Sequence, residues 1–305
     1  MTIRPGSQPP APPALPEVFF ARDHDAARVA ARVRTARWEP LTRGAYVAAG
    51  AVTNAKDRAL AQMVAVHHRV HVEHWFSHES AALLRGLRVW LDPTTTHLRQ
   101  ARRPDHSPDP TVRRHLPAAP VGHRSQVSGL PVTSLEATVV DCARSLPPLD
   151  ALVIADAAVR AGADLATANA LLAQMPGFRG VRAATDVLAL ADPGAESAPE
   201  TAVRYHMLAA GLPPPQTQVE VETWRGTYWS DLGYPQHKVL IEYDGRAKYA
   251  GNEWLREKQR TDAIVEAGFR VVRATAEDLR NPARLIARIR RFLPDAAIYP
   301  RPHLR

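Results

Sequence analysis

The sequence predicts a mixed α/β protein built in two parts, and three observations carry that prediction. Ala-rich stretches with apolar residues at helical spacing alternate with short β-branched runs along the chain. From Glu196 onward the order reads α-β-β-β-α-β-α, and a hairpin followed by a helix and another strand fits a mixed sheet flanked by helices. The segment Ala191-Asp192-Pro193-Gly194-Ala195 separates that order from the helices before it and reads as a linker. At 305 residues the chain is long enough for two cores.

Residues 1–17 are rich in Pro and small side chains, which predicts a disordered arm. Within 18–50, Asp25 to Arg37 has helix formers behind an Asp cap, and Trp38 to Val47 reads as two short strands around a turn. A helix followed by a small hairpin is how a winged helix ends, so this stretch predicts a truncated winged-helix-like unit. Its Arg32 and Arg43 are candidates for phosphate contact.

Residues 51–190 predict an αβ and helical domain. Lys56 to Arg69 is a helix, and Ser77 starts another that ends at Gly86. The run His67, His68, His71, His74 and His78 has helical zinc-pair spacings, but Val70 to Phe76 looks extended. That spoils a shared face, and no zinc site is expected there. Thr94–Arg99 and Thr111–Leu116 are strand candidates, in a region whose Arg102, Arg103, Arg113, Arg114 and Arg124 make it basic. Helices follow over 134–144, 149–160, 165–175 and 180–190.

The domain at 196–296 opens with a helix in which Pro199 suits the first turn. Gln216 to Glu222 is a strand. The next hairpin carries Asp231 on its first arm and Glu242 and Asp244 on its second. Side chains alternate along a strand, so Glu242 and Asp244 share a face. A turn centred between Gln236 and His237 sets Asp231 opposite Glu242. Like charges in that position destabilise a sheet, and a divalent cation held by carboxylate oxygens, Mg²⁺ or Mn²⁺, reverses the sign. The near-continuous apolar run Val239 to Tyr243 marks a strand buried on both faces, where a carboxylate needs a partner. A helix over 253–267, a strand over 269–275 and a helix over 277–293 complete the domain, and 297–305 is a tail.

The net charge is +8 and Arg outnumbers Lys, which points weakly to a polyanionic partner. The single cysteine, Cys142, excludes an intramolecular disulfide and a four-cysteine zinc site, and its apolar surroundings predict a core residue. No signal peptide is visible and no run of about 18 uncharged apolar residues exists, so a cytoplasmic protein without a membrane span is expected.

Two resemblances extend this reading. Asp231, Ile241-Glu242-Tyr243-Asp244-Gly245, Glu257-Lys258-x-Arg260-x-Asp262 and Gly268-Phe269-Arg270-Val271-Val272-Arg273 resemble the restriction-endonuclease-like PD-(D/E)xK fold, in the branch of very-short-patch-repair endonucleases. The resemblance covers the last third of the chain. It implies Asp231 and Glu242 as metal ligands, Glu200 as a helix acid that orients water, and phosphate contacts from Arg260 and Arg273. Asp244 stands where that fold usually has lysine, and Lys248 is the nearest substitute for its charge. Leu41-Thr42-Arg43-Gly44-Ala45-Tyr46-Val47, Ser77-His78-Glu79-Ser80-Ala81-Ala82-Leu83-Leu84-Arg85-Gly86-Leu87 and Thr138–Arg144 resemble the AbiEi-type antitoxin and transcriptional-regulator family. This implies a DNA-binding region and a toxin partner. The expectation is a metal-dependent DNA endonuclease; the alternatives are a non-catalytic DNA-binding regulator with a fossil nuclease domain, and a protein-interaction module.

Overall fold

Three separate sheets organise the computed structural model, which describes residues 8–102, 109–116, 120–245 and 253–293. The first sheet has three antiparallel strands: β1 (Val18–Phe20), β2 (Trp38–Thr42) and β3 (Ala45–Ala48), in the order β1-β3-β2. Helix α1 (Ala26–Arg34) precedes the β2–β3 hairpin and is capped by Asp25, whose side chain accepts from the Arg28 N–H at 2.7 Å. No residue of α1 is buried; Arg32 is half-buried and Arg43 is exposed in the turn after β2. Phe19 stacks on Trp38 with ring centroids 4.6 Å apart, which holds the small sheet together.

The second unit comprises α2 (Ala55–Arg69), β4 (His74–Phe76), α3 (His78–Leu84), β5 (Thr96–Gln100), β6 (Val112–His115), β7 (Arg124–Val127) and β8 (Leu130–Thr133). Its sheet runs β6-β5-β4-β8-β7, with β5 and β6 parallel. Leu60, Met63, Phe76, Leu83, Leu98 and Val132 fill the space between α2, α3 and this sheet. Four helices follow: α4 (Leu135–Ser145), α5 (Pro148–Arg160), α6 (Leu165–Ala173) and α7 (Val181–Leu190). Their apolar faces form a core around Leu152, Ile154 and Leu188, with Cys142 wholly buried in it as its sequence context predicts.

The proline-rich arm differs from its expectation over the residues described. Residues 8–17 carry almost no regular structure, yet Leu15 packs on the core beneath α2. The Ala11 carbonyl lies so close to Gly86 that an added Cβ would stand 1.9 Å from it. Gly86 also has φ +74°, so only glycine suits the position. One apolar anchor and one close backbone approach fix what composition alone assigns to disorder.

The connecting segment 191–195 is buried, not solvated. Two of its backbone groups are bound by α5: Asp156 Oδ1 accepts from the Asp192 N–H at 2.9 Å, and Arg160 Nη1 donates to the Pro193 carbonyl at 3.1 Å. Asp156 also pairs with Arg204 through both carboxylate oxygens, at 2.7 and 2.8 Å.

The last unit has α8 (Ala198–Ala209), β9 (Gln216–Thr223), β10 (Gly226–Tyr234), β11 (Val239–Tyr243), α9 (Glu253–Glu266), β12 (Arg270–Ala274), α10 (Ala276–Arg280) and α11 (Pro282–Arg290). The order matches the expected α-β-β-β-α-β-α, with the closing helix broken at Asn281-Pro282. The sheet runs β12-β11-β10-β9, antiparallel except for the parallel β11–β12 pair. Val239 and Ile241 face α8 and α11, whereas Leu240 faces α9, so β11 is covered on both sides. Each of those three side chains is fully buried, worth about 1.5–3 kcal/mol apiece. Among the described residues, no helix is long and apolar enough to cross a membrane.

Candidate functional site: a carboxylate–arginine cleft

The β10–β11 hairpin has the register expected from its turn. Leu232 pairs with Ile241, Gly233 with Leu240 and Tyr234 with Val239. Pro235–His237 forms a single 3₁₀ turn and Lys238 takes the left-handed conformation that reverses the chain. One further step of this register sets Asp231 opposite Glu242. There the Tyr243 N–H donates to Asp231 Oδ2 at 2.9 Å.

These residues open into a cleft of roughly 540 Å³, also lined by Glu200, Asp244, Glu257, Arg260 and Arg273. Among the described residues, five carboxylates thus meet two guanidinium groups. Helix α9 lies over the face of the sheet that carries Glu242, and its Arg260 grips that carboxylate with both arms: Nη2 to Oε1 at 2.5 Å and Nη1 to Oε2 at 3.2 Å. Arg260 also donates to the Trp229 carbonyl at 3.0 Å. Burial alone would lower the Arg260 pKa; the bonds and charge of Glu242 raise it instead. Arg273 donates to Glu257 at 2.9 Å and to Thr261 at 2.8 Å, and lies 3.6 Å from Asp244.

Among the described residues, Asp231 has no such guanidinium clamp. Its burial, and then the nearby Glu200 charge, push it up to about 7, against the pull of the Tyr243 N–H.

The structure places the expected site residues unevenly. Asp231, Glu242, Asp244 and Glu200 line one cleft, together with Arg260 and Arg273. Arg260 and Arg273, expected to meet phosphates, are engaged with carboxylates inside the chain. Glu200 is engaged as well. Its Oε2 accepts from the Glu196 N–H and its Oε1 from the Ser197 hydroxyl, each at 2.7 Å, so it caps its own helix. Burial raises its pKa and these two hydrogen bonds oppose the rise. Lys248 lies outside the described residues. Arg32 and Arg43 sit in the first sheet's unit, apart from the carboxylate cleft.

The donor set suits a hard divalent cation. It consists of oxygens alone, and Mg²⁺ keeps several waters while using one or two carboxylates. The crowding of acids that raises the Asp231 pKa is what such a cation would relieve. The acids do not converge into a closed cage: among the described residues, three ligand atoms come within 4.8 Å of one another only at His78, His97 and His115.

Two proteins of Mycobacterium tuberculosis resemble this chain: uncharacterized protein MT2308 of strain CDC 1551 / Oshkosh and uncharacterized protein Rv2248 of strain ATCC 25618 / H37Rv. Each is 35% identical to it over 204 residues, covering 63% of this chain and 74% of the relative. The chain belongs to their family. No family model matches it, and no solved structure matches it at a significant level.

Reading the sequence of this family member missed three participants in the cleft. Glu257 bridges Arg260 and Arg273, Thr261 binds Arg273, and the Tyr243 amide binds Asp231. The helical spacing of Glu257, Arg260 and Thr261 put them on one face, and that was the available signal.

Proposed function

We propose that the C-terminal cleft is the active site of a divalent-metal-dependent DNA endonuclease of restriction-endonuclease-like type, to which the small helix-and-hairpin unit at the N-terminus adds affinity for DNA. The observation that supports this most is the gathering of Asp231, Glu242 and Asp244 on two central strands, in a cleft whose described residues include more carboxylates than guanidinium groups. Asp231 and Glu242 would hold Mg²⁺ or Mn²⁺. When bound, such an ion lowers the pKa of water and offsets charge on a scissile phosphate.

The chain's own residues do the rest. Asp231 would hold the ion with its carboxylate in the ionised form. Arg260 leaves one or both Glu242 oxygens and turns its planar fork to a phosphate, the geometry to which guanidinium is suited. Arg273 stays anchored by Glu257 and Thr261 and keeps Asp244 in place. Glu200 holds the start of α8 against the cleft rather than acting on water.

Supercoiled plasmid incubated with Mg²⁺ or Mn²⁺ tests the reading. Wild type is expected to nick it, and Asp231→Ala and Glu242→Ala to lose the activity by roughly 100-fold or more. Equal cleavage by all three proteins would sink it.

One observation favours a second reading. Glu242 already has its charge met by Arg260, as in a fossil site. The chain is then a non-catalytic DNA-binding regulator, the antitoxin of a type IV toxin–antitoxin-like pair with a toxin partner. It predicts DNA affinity that falls with salt, needs no metal and survives Asp231→Ala.

A further inference from the structure

A second cleft, of about 330 Å³, opens where α3, β5 and β6 meet, and it uses none of the residues of the carboxylate site. His78 comes from the first turn of α3, His97 from β5 and His115 from β6. The parallel β5–β6 register pairs Arg99 with His115, so His97 and His115 stand two residues out of step on one face. His115 Nε2 and His97 Nδ1 are 3.2 Å apart, and one nitrogen from each of the three rings lies within 4.8 Å of the others. Two nitrogens that share a tetrahedral zinc ion stand about 3.3 Å apart.

The surroundings point the same way. Glu79, next to His78, directs Oε2 to 3.7 Å from His97 Nδ1; that oxygen is buried and has no hydrogen-bond partner. Ser77 Oγ lies 2.9 Å from His78 Nδ1, with the Asp141 carboxylate 3.8 Å away. Asp141 is itself clamped by Arg99. When Nδ1 of His78 donates to Ser77, its Nε2 lone pair is left for a ligand, the usual outer-shell arrangement of a metal-bound imidazole. His78 also holds φ +52°, a conformation that non-glycine residues rarely adopt.

We infer that His78, His97 and His115 form a zinc site, with Glu79 beside His97 and the fourth position toward the cleft. Three imidazoles select zinc over the magnesium-like ions that an all-oxygen site takes. The ion ties α3 to both parallel strands beside a cleft open to solvent.

Cobalt titration of the chelator-stripped full chain tests this. One Co²⁺ per chain is expected, with the visible bands of tetrahedral coordination, displaced by Zn²⁺ and indifferent to excess Mg²⁺. His97→Ala and His115→Ala should each abolish the bands, and Glu79→Gln should shift them. Ser77→Ala should weaken binding within the roughly 10–100-fold range of an outer-shell loss. His67→Ala should give the same tetrahedral bands as wild type, and excess Mg²⁺ in the titration fills the carboxylate cleft and keeps this test separate from the nuclease reading. Far-UV circular dichroism checks each variant's fold, and His115→Gln replaces any that unfolds. A folded wild type that takes up no Co²⁺, or bands that persist without His97 and His115, would overturn the assignment and leave a hydrogen-bonded imidazole cluster only.

Discussion

Asp156 is buried and Asp231 half-buried, each a carboxylate near an arginine, and the chain treats them in opposite ways. Asp156 is saturated. Its oxygens accept from Arg204, from the Asp192 N–H and from the Thr201 hydroxyl, deep between α5 and α8. Burial still pulls its pKa up, with Arg204 as the main opposing influence. Asp231 accepts one backbone N–H and faces other acids across an open cleft, while the nearest guanidinium is committed to Glu242. The first arrangement fixes two helices and the segment between them. The second leaves negative charge unsatisfied where solvent and ligands can reach it. Saturation marks a structural pair; an unmet charge at a cleft marks a candidate for chemistry.

The sharpest test of that contrast is Asp156→Ala. It strands Arg204 in the interior, and a loss of about 3–5 kcal/mol in urea-monitored stability is expected; a loss below about 1 kcal/mol would erase the distinction. Asp231→Asn should do the reverse. Because the folded pKa lies above the unfolded value, the native state binds the extra proton between about pH 4 and 7. Wild-type stability therefore falls as pH rises through that window, and the variant escapes the penalty. At pH 8 it should gain on the order of 2 kcal/mol over wild type, and near pH 4 the two should coincide. Mg²⁺ should raise the melting temperature of wild type at pH 8 and not that of the variant.

Glu242→Gln is expected to cost only about 1 kcal/mol, since Arg260 keeps Trp229 and Glu257 and the crowding of acids is relieved. Unfolding on the scale of Asp156→Ala would make Glu242 structural. The smallest effect separates two threonines. Thr201→Val should lose about 1 kcal/mol by leaving a buried Asp156 oxygen short of a donor. Thr261→Val, in the half-open cleft, should stay within about 0.5 kcal/mol of wild type by the same measurement.

Much of the C-terminal unit was legible because its signals are local. The apolar run from Val239, the turn at Pro235 and the break at Pro282 fix strand, register and helix ends within a few residues of each other. The partner of Arg260 was not legible, since the packing of α9 over the sheet decides it. Glu200 carried a readable sign of a different kind: Ser197 three residues earlier is the mark of a capping box. The histidines show the same limit. The visible run from His67 to His78 splits in space. His67 bonds to His74 at 3.0 Å, and His78 turns to two rings from strands whose pairing spans many residues. In the described part of the arm Leu15 packs on a core, a contact that the tract of prolines around it does not announce.

Cys142 gives the molecule a clock. It is the lone thiol of the chain, has no exposure to solvent and follows directly after the aspartate that holds Arg99. Burial raises its pKa well above the ordinary thiol range, so the closed form is inert to alkylating reagents. Any modification that occurs must follow a transient parting of α4 from its neighbours. Its rate, followed by mass spectrometry, reads how often the helical layer opens, without a label having to be engineered in.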